Sequence, residues 1–129
     1  MIQKSLTQKV KVSFGEGKFK VEGTAITTSN GVIVLILGGE EPHIGSVAIA
    51  LPRPSLRNQT KISSTASVYT LLGHKDDEVA KPAAENLAKE LEKVVVVIAG
   101  IHVEDATGEE IKILMNNSQK IIEKLLEKI

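Results

Sequence analysis

Three histidines are the residues of this chain whose types and settings best suggest chemistry, because each stands in the same kind of place. His43 lies in Gly38-Gly39-Glu40-Glu41-Pro42-His43-Ile44-Gly45, His74 in Gly73-His74-Lys75-Asp76-Asp77, and His102 in Gly100-Ile101-His102-Val103-Glu104. Each follows the end of an apolar stretch, with glycine nearby. Imidazole changes charge near neutral pH and is a common metal ligand. Glycine beside it lets a backbone come close to a ligand. Three readings compete at this point. The loops can form a small-molecule site, in which the free N–H groups of a helix starting near Asp76 and Asp77 face a phosphate. The imidazoles, with a carboxylate such as Glu104, can hold a metal. Or the three are turn residues that bond local carbonyls. No pair of histidines has the short spacing of metal ligands, so no metal is expected. Asp76 and Asp77 would repel a phosphate at the same helix end, and Lys75 offsets them in part.

Other groups offer less. Gly38-Gly39 is not a phosphate loop, since no Gly-Lys-Ser/Thr follows it. Glu40 and Glu41 are adjacent carboxylates in a glycine turn, a setting that is usually just solvated. Ser63, Ser64, Thr65 and Ser67 lack the G-x-S-x-G frame of a nucleophilic serine. With Arg53 they can still hydrogen-bond a phosphate or a partner, or simply form a polar surface loop. No catalytic set emerges, and a non-enzymatic binding protein is the expectation.

The elements that must position these residues follow from periodicity. Val10, Val12 and Phe14 alternate with polar residues as in a half-buried strand, and Gly15-Glu16-Gly17 supplies a turn. Lys18 to Thr28 alternates again. Ser29-Asn30-Gly31 signals a tight hairpin, because Asn-Gly tolerates positive φ. Val32 to Leu37 is continuously apolar, as expected of a strand buried on both faces, and Gly38-Gly39 ends it. Ile44 to Leu51 reads as a fourth strand, Pro52 to Ser64 as a long polar loop, and Ala66 to Leu72 as a fifth strand. From Asp77 to Leu91 the period becomes helical through Val79, Ala83, Leu87 and Leu91, with Pro82 marking a kink or a delayed start. Val94 to Ile98 is a sixth strand, again apolar on both faces. Thr107-x-x-Glu110 is a capping box. The helix behind it places Ile111, Leu114, Met115, Ile121, Ile122, Leu125 and Leu126 on one face, and losing the cap by Thr107→Ala would cost about 1 kcal/mol.

The stretch from Ala66 to Ile98 is thus strand, helix, strand, expected to be a βαβ unit with parallel neighbouring strands. The front strands form an antiparallel meander. The sum is an α/β (α+β) domain over residues 1–129: a mixed six-stranded sheet with both helices on one face. Ligands gather outside the carboxyl ends of parallel strands. That rule places His74 and His102 on one sheet edge, and His43 joins them if the Val32 strand runs the same way.

Composition excludes several functions. The chain has 129 residues, with 16 basic and 16 acidic side chains and a formal net charge of zero. A general electrostatic grip on nucleic acid is therefore not expected. Aromatic residues are 2% of the chain, too few to stack bases, and the absence of cysteine removes disulfides and thiolate chemistry. No signal peptide or membrane-spanning apolar run is present, so a cytoplasmic protein without membrane contact is expected. Dense Lys and Glu without Cys fits a heat-adapted, archaeal-like source. Small β-rich domains with exposed strand edges commonly pair, which points to a homo-oligomer.

The same segments carry a resemblance. Gly38-Gly39 with His43-Ile44-Gly45, Thr65-Ala66-Ser67, Gly73 through Glu78, and Gly100-Ile101-His102-Val103 look like the prenylated-flavin chaperone family, which includes the small D subunit of gallate decarboxylase systems. The likeness runs from about Gly31 through the last helix. It implies a non-catalytic protein that handles prenylated flavin mononucleotide (FMN) for a partner decarboxylase, with His43, Gly45, Thr65, His74, Lys75 and His102 as the matching cofactor-binding residues. The architecture also resembles the proteasome-assembly chaperones, which act as oligomeric scaffolds through protein–protein contacts. Those that dock on proteasomes often end in hydrophobic-Tyr-x. This chain ends Leu126-Glu127-Lys128-Ile129, so a partner would have to supply that tail.

Overall fold

The computed structural model describes residues 6–71 and 76–129. In chain order the elements are β1 (Gln8–Phe14), β2 (Val21–Thr27), β3 (Gly31–Gly39), β4 (Ser46–Pro54), β5 (Ile62–Thr70), α1 (Asp77–Leu91), β6 (Val94–His102) and α2 (Gly108–Lys128), with a short 3-10 turn at Gly17–Phe19. That turn takes the start of the expected Lys18 strand. The six strands form one mixed sheet in the order β1-β2-β3-β6-β4-β5. The two helices pack on one face of it, α1 over β4, β5 and β6, and α2 over β1 and β2.

The strand order corrects the expected βαβ unit in one respect. β5 and β6 run in the same direction on either side of α1, but they are not neighbours. β4 lies between them, antiparallel to both. The adjacent parallel pair is β3 and β6, in register from Gly31↔Val94 to Gly39↔His102. The meander is real for β1, β2 and β3. The chain then steps over β6 to lay down β4 on its far side. Local alternation specifies strands but not which strands pair, so this order could not be read from spacing.

Burial alternates along the middle of the central strands. On the helix side, Val34, Ile36, Val95, Val97, Ala48 and Ala50 are fully buried. On the other side Ile33 is exposed, and Leu35, Leu37, Val96 and Ile98 are only partly buried. The expectation that β3 and β6 are buried on both faces is therefore corrected. Both helices cover the same face, and no described element covers the second.

The long loop is also shorter than expected. β4 runs on to Pro54 and β5 begins at Ile62, so the connection is only residues 55–61. Pro52 and Pro54 are tolerated in the strand because β4 pairs with β6 only from Ser46 to Ala50. Beyond that point β4 has a single neighbour, and a missing N–H costs no ladder bond on the open side. α1 begins at Asp77, before Pro82, so the helix start is not delayed. The α2 capping box forms in full. Thr107 Oγ1 accepts the Glu110 N–H at 3.2 Å, and Glu110 Oε1 accepts the Thr107 N–H at 3.0 Å. On the apolar stripe, Leu114, Ile121, Ile122 and Leu125 are buried, Met115 and Leu126 are partly buried, and Ile111 is half-exposed. Asn117 and Ser118 are buried among them and satisfied. Asn117 donates to the Phe19 carbonyl at 2.8 Å, and Ser118 donates to the Leu114 carbonyl at 2.8 Å.

Candidate functional site

The step from β3 over β6 to β4 builds the site. β3 and β6 end together at Gly39 and His102. The chain then turns across the end of β6: the Glu40 N–H donates to the His102 carbonyl at 2.7 Å. On the far side the Gly45 N–H donates to the Ala99 carbonyl at 2.9 Å, and the Leu71 N–H donates to the Gly45 carbonyl at 2.9 Å. Between these anchors His43 lies directly over Gly100. A Cβ on Gly100 would fall on the His43 carbonyl oxygen, so only glycine permits this crossing.

The crossing brings His43 and His102 together, with ring centroids 6.2 Å apart and planes at 81°. The condition set on His43 is met, since β3 runs parallel to β6. The His43 Nδ1–H donates to the Glu41 carbonyl at 2.9 Å, and Nε2 lies 3.3 Å from Asp76 Oδ2. Both partners are oxygen acceptors, so each ring nitrogen faces an oxygen. Asp76, the residue before α1, is buried. Its Oδ1 accepts the Ile101 N–H at 2.9 Å, and its backbone carbonyl accepts the N–H groups of Val79 and Ala80. It makes no side-chain cap of α1. Its carboxylate instead ties the helix start to the end of β6 and to His43. Gly45 faces the same carboxylate, where a Cβ would strike Asp76 Oδ2.

His102 carries the clearest electrostatic signature. Its Nε2 lies 3.0 Å from Glu104 Oε2, and the Glu104 N–H in turn donates to Glu40 Oε1 at 3.0 Å. The hydrogen bond to Glu104 raises the His102 pKa above its ordinary 6.5, outweighing partial desolvation. The charges of Glu104, Glu41 and Glu40 act in the same direction. A raised folded-state value has a definite consequence for stability. The contribution is fully present below the ordinary value and is lost as pH rises through the folded one. The His102 ring signal in an NMR titration is expected to move with a midpoint above 6.5, and Glu104→Gln should bring it back toward 6.5. A wild-type midpoint at or below 6.5 would contradict the Glu104 contact.

Beside His102 opens a cleft of about 220 Å³ between the end of β6, the start of α1 and the first turns of α2. Val79, Ile101, Val103, Leu114 and Met115 wall it, and Asp76, Glu78 and His102 stand among its lining. It is smaller than the roughly 300–1,000 Å³ of pockets that enclose a whole drug-sized ligand. It would therefore take an apolar portion of one. The half-exposure of Ile111, unexpected for a stripe residue, arises because it lines this cleft.

Of the sequence-derived candidates, His43, Gly45 and His102 come together here. His74 and Lys75 lie outside the described residues. Thr65 is not brought to the site. It sits opposite Leu51 on β5, near the other end of the sheet and on its uncovered face, where its hydroxyl accepts from Arg53 Nε at 2.6 Å. Sequence reasoning missed Asp76 as a positioning residue, having weighed it only as a repeller of phosphate. It also missed the cleft wall from α2, because nothing in local spacing says that this helix start faces the β6 end. Among the described residues no group of three or more His, Cys, Asp or Glu side chains is placed to hold a metal ion.

Residues 15–129 match the family model of the prenylated flavin chaperone LpdD-like domain. No curated protein matches the chain. Among solved structures, a novel chaperone complex for yeast 20S proteasome assembly is similar in fold. The match has a TM-score of 0.59 at 15% identity and covers 95% of this chain and 94% of the other.

Proposed function

The chain belongs to the prenylated flavin chaperone LpdD-like family, and on that premise we propose that it binds prenylated FMN without catalysing a reaction and delivers it to a partner decarboxylase in the cytoplasm. The observation that carries the reading is a cleft with apolar walls lined by the His102 imidazole, with the His43 ring 6.2 Å from it and bound to the Asp76 carboxylate that also lines the cleft. The residues present fit one part of such a ligand well. Val79, Ile101, Val103, Leu114 and Met115 would take up the prenylated ring edge, where apolar surface leaves water. The His102 ring, held toward its protonated form by Glu104, offers a positive donor to an anionic or carbonyl oxygen. The buried Asp76 carboxylate occupies the start of α1, so the phosphate would lie outside the cleft rather than on that helix end. When bound, the prenylated flavin is itself the reactive group. This chain's residues hold and orient it and keep water from its apolar side.

Titration of the purified chain with FMN and with prenylated FMN tests the reading. Binding of the prenylated form is expected, and replacing both His43 and His102 with alanine should weaken it at least tenfold, about 1.4 kcal/mol, at a temperature where the variant is still folded by circular dichroism. No binding of either flavin at millimolar concentration would end the proposal.

One observation favours a second reading, an oligomeric assembly scaffold acting through protein–protein contacts: a broad apolar sheet face that no described element covers. No helix among the described residues is long and apolar enough to cross a membrane.

A further inference from the structure

We propose that the open edge of β5 docks an extended, acidic segment of a partner protein, which adds to the sheet as a further strand. The inference holds whether or not the protein binds flavin.

β1 and β5 are the two edges of the sheet. In an antiparallel pair, alternate residues turn both backbone groups toward the neighbour, and the residues between them turn theirs away. Two bonds fix that phase for β5. The Ser55 N–H donates to the Lys61 carbonyl at 2.8 Å just before the strand, and the Leu71 N–H donates to the Gly45 carbonyl at 2.9 Å just after it. The odd-numbered residues of β5 therefore bond β4. Pro52 and Pro54, which have no N–H to give, stand opposite Ser64 and Ile62, as that phase requires. Ile62, Ser64, Ala66, Val68 and Thr70 turn their N–H and C=O groups outward, where no described residue pairs with them.

Exposed edges are ordinarily blunted by charge, proline or a bulge, because they invite pairing. β1 follows that rule. It carries Lys9 and Lys11, and Lys124 of α2 donates to its Ser13 carbonyl at 3.0 Å. β5 does not. Its nine residues hold no charge and no proline, and their register with β4 runs from Ile62 to Thr70 without a break. A long, regular, uncharged edge is where an extended peptide adds by main-chain hydrogen bonds.

Charge says which peptide. No acidic residue lies between Glu41 and Asp76, whereas Arg53, Arg57 and Lys61 stand together around the start of β5. Among the described residues no carboxylate pairs with any of the three. Arg53 Nε donates to Thr65 Oγ1 at 2.6 Å, which lays the guanidinium over β5. The Lys61 N–H donates to the Asn58 carbonyl at 3.0 Å and the Arg57 N–H to Ser55 Oγ at 3.2 Å, so the loop that carries the other two cations is ordered. An added strand would lie beside Ala66 and Val68 on the helix side, and beside Thr65 and Ser67 on the other. The segment that fits alternates apolar and acidic residues. A second copy of this chain does not fit, since neither of its edge strands contains an acid. A nucleic acid could meet the cations, but it has no ladder of N–H and C=O groups to match the edge.

The probe is a blocked peptide of about eight residues alternating Glu and Val, titrated into the full chain. Binding with a Kd of about 100 μM or tighter is expected. Amide exchange of Ile62, Ser64, Ala66, Val68 and Thr70 should slow by about tenfold or more on binding, while that of Ser63, Thr65 and Ser67, already bonded to β4, should change little. Ala66→Pro removes an outward donor without breaking a bond to β4, and it should abolish binding with the far-UV circular dichroism kept. A second comparison does not depend on that variant folding. The same peptide N-methylated at every residue keeps its charges and side chains but has no backbone donor, and it should not bind. Replacing Arg53, Arg57 and Lys61 together with glutamine should weaken the Glu-Val peptide at least tenfold. No binding at about 1 mM, or equal binding of the N-methylated peptide, would overturn the proposal. So would equal binding of a Lys-Val peptide, an oligothymidylate that displaces the Glu-Val peptide, or slow exchange of the outward residues in the peptide-free protein, which would mean that a second copy already holds the edge.

Discussion

Gly100→Ala is expected to destabilise the protein by about 3 kcal/mol and to abolish flavin binding in the same step. The added methyl would fall on the His43 carbonyl, with the carbonyl carbon and the amide nitrogen of His43 close behind. Each of these is backbone, so no side chain can rotate aside. The crossing segment is also pinned on both sides, by the Glu40 N–H on His102 and by the Gly45 N–H on Ala99. Either those bonds break and His43 lifts away from His102, or β6 shifts against β3 and β4. Urea unfolding and flavin titration of the same variant measure both effects. Gly108→Ala is the matched control, because an added Cβ there meets nothing within 4 Å. It should leave both quantities nearly unchanged. A Gly100→Ala variant as stable as the wild type would mean that the segment does not cross β6 where described.

Ile121→Ala should show the opposite division: a loss of about 3–4 kcal/mol of stability, with flavin affinity kept wherever the variant is folded. Ile121 is fully buried and lies over Gly23 of β2, at the centre of the contact between α2 and the meander. Truncation leaves a cavity that the backbone of a sheet cannot fill. The α2 residues that wall the cleft, Ile111, Leu114 and Met115, lie one and a half to three turns nearer the helix start. There the capping box holds the first turn independently. The Lys18 ion pair to Glu110, at 2.6 Å, reinforces it by tying that turn to the 3-10 segment. Thermal unfolding read beside binding at low temperature separates the two effects. A tenfold loss of affinity in a folded Ile121→Ala variant would show that the cleft depends on the whole helix rather than on its first three turns.

Much of this protein is legible in one dimension. Each strand and helix is announced by its period, the α2 start by Thr107 and Glu110, and the candidate chemistry by histidines set among glycines. These features are local: a strand's alternation and a cap's hydrogen bonds involve residues a few positions apart. What tertiary structure decided is which strands are neighbours. Pairing β3 with β6 and placing β4 beyond them forces the 40–45 segment across the sheet end, and only that crossing sets His43 beside His102 and Asp76. It likewise separates Thr65 from the site, although the motifs lie in order along the chain. The apolar runs of β3 and β6 read as doubly buried because a sequence registers hydrophobicity on both faces without saying what covers each. Here one face is covered by two helices and the other by no described element, since what a strand face packs against is decided by the folded chain, not by the run of residues itself.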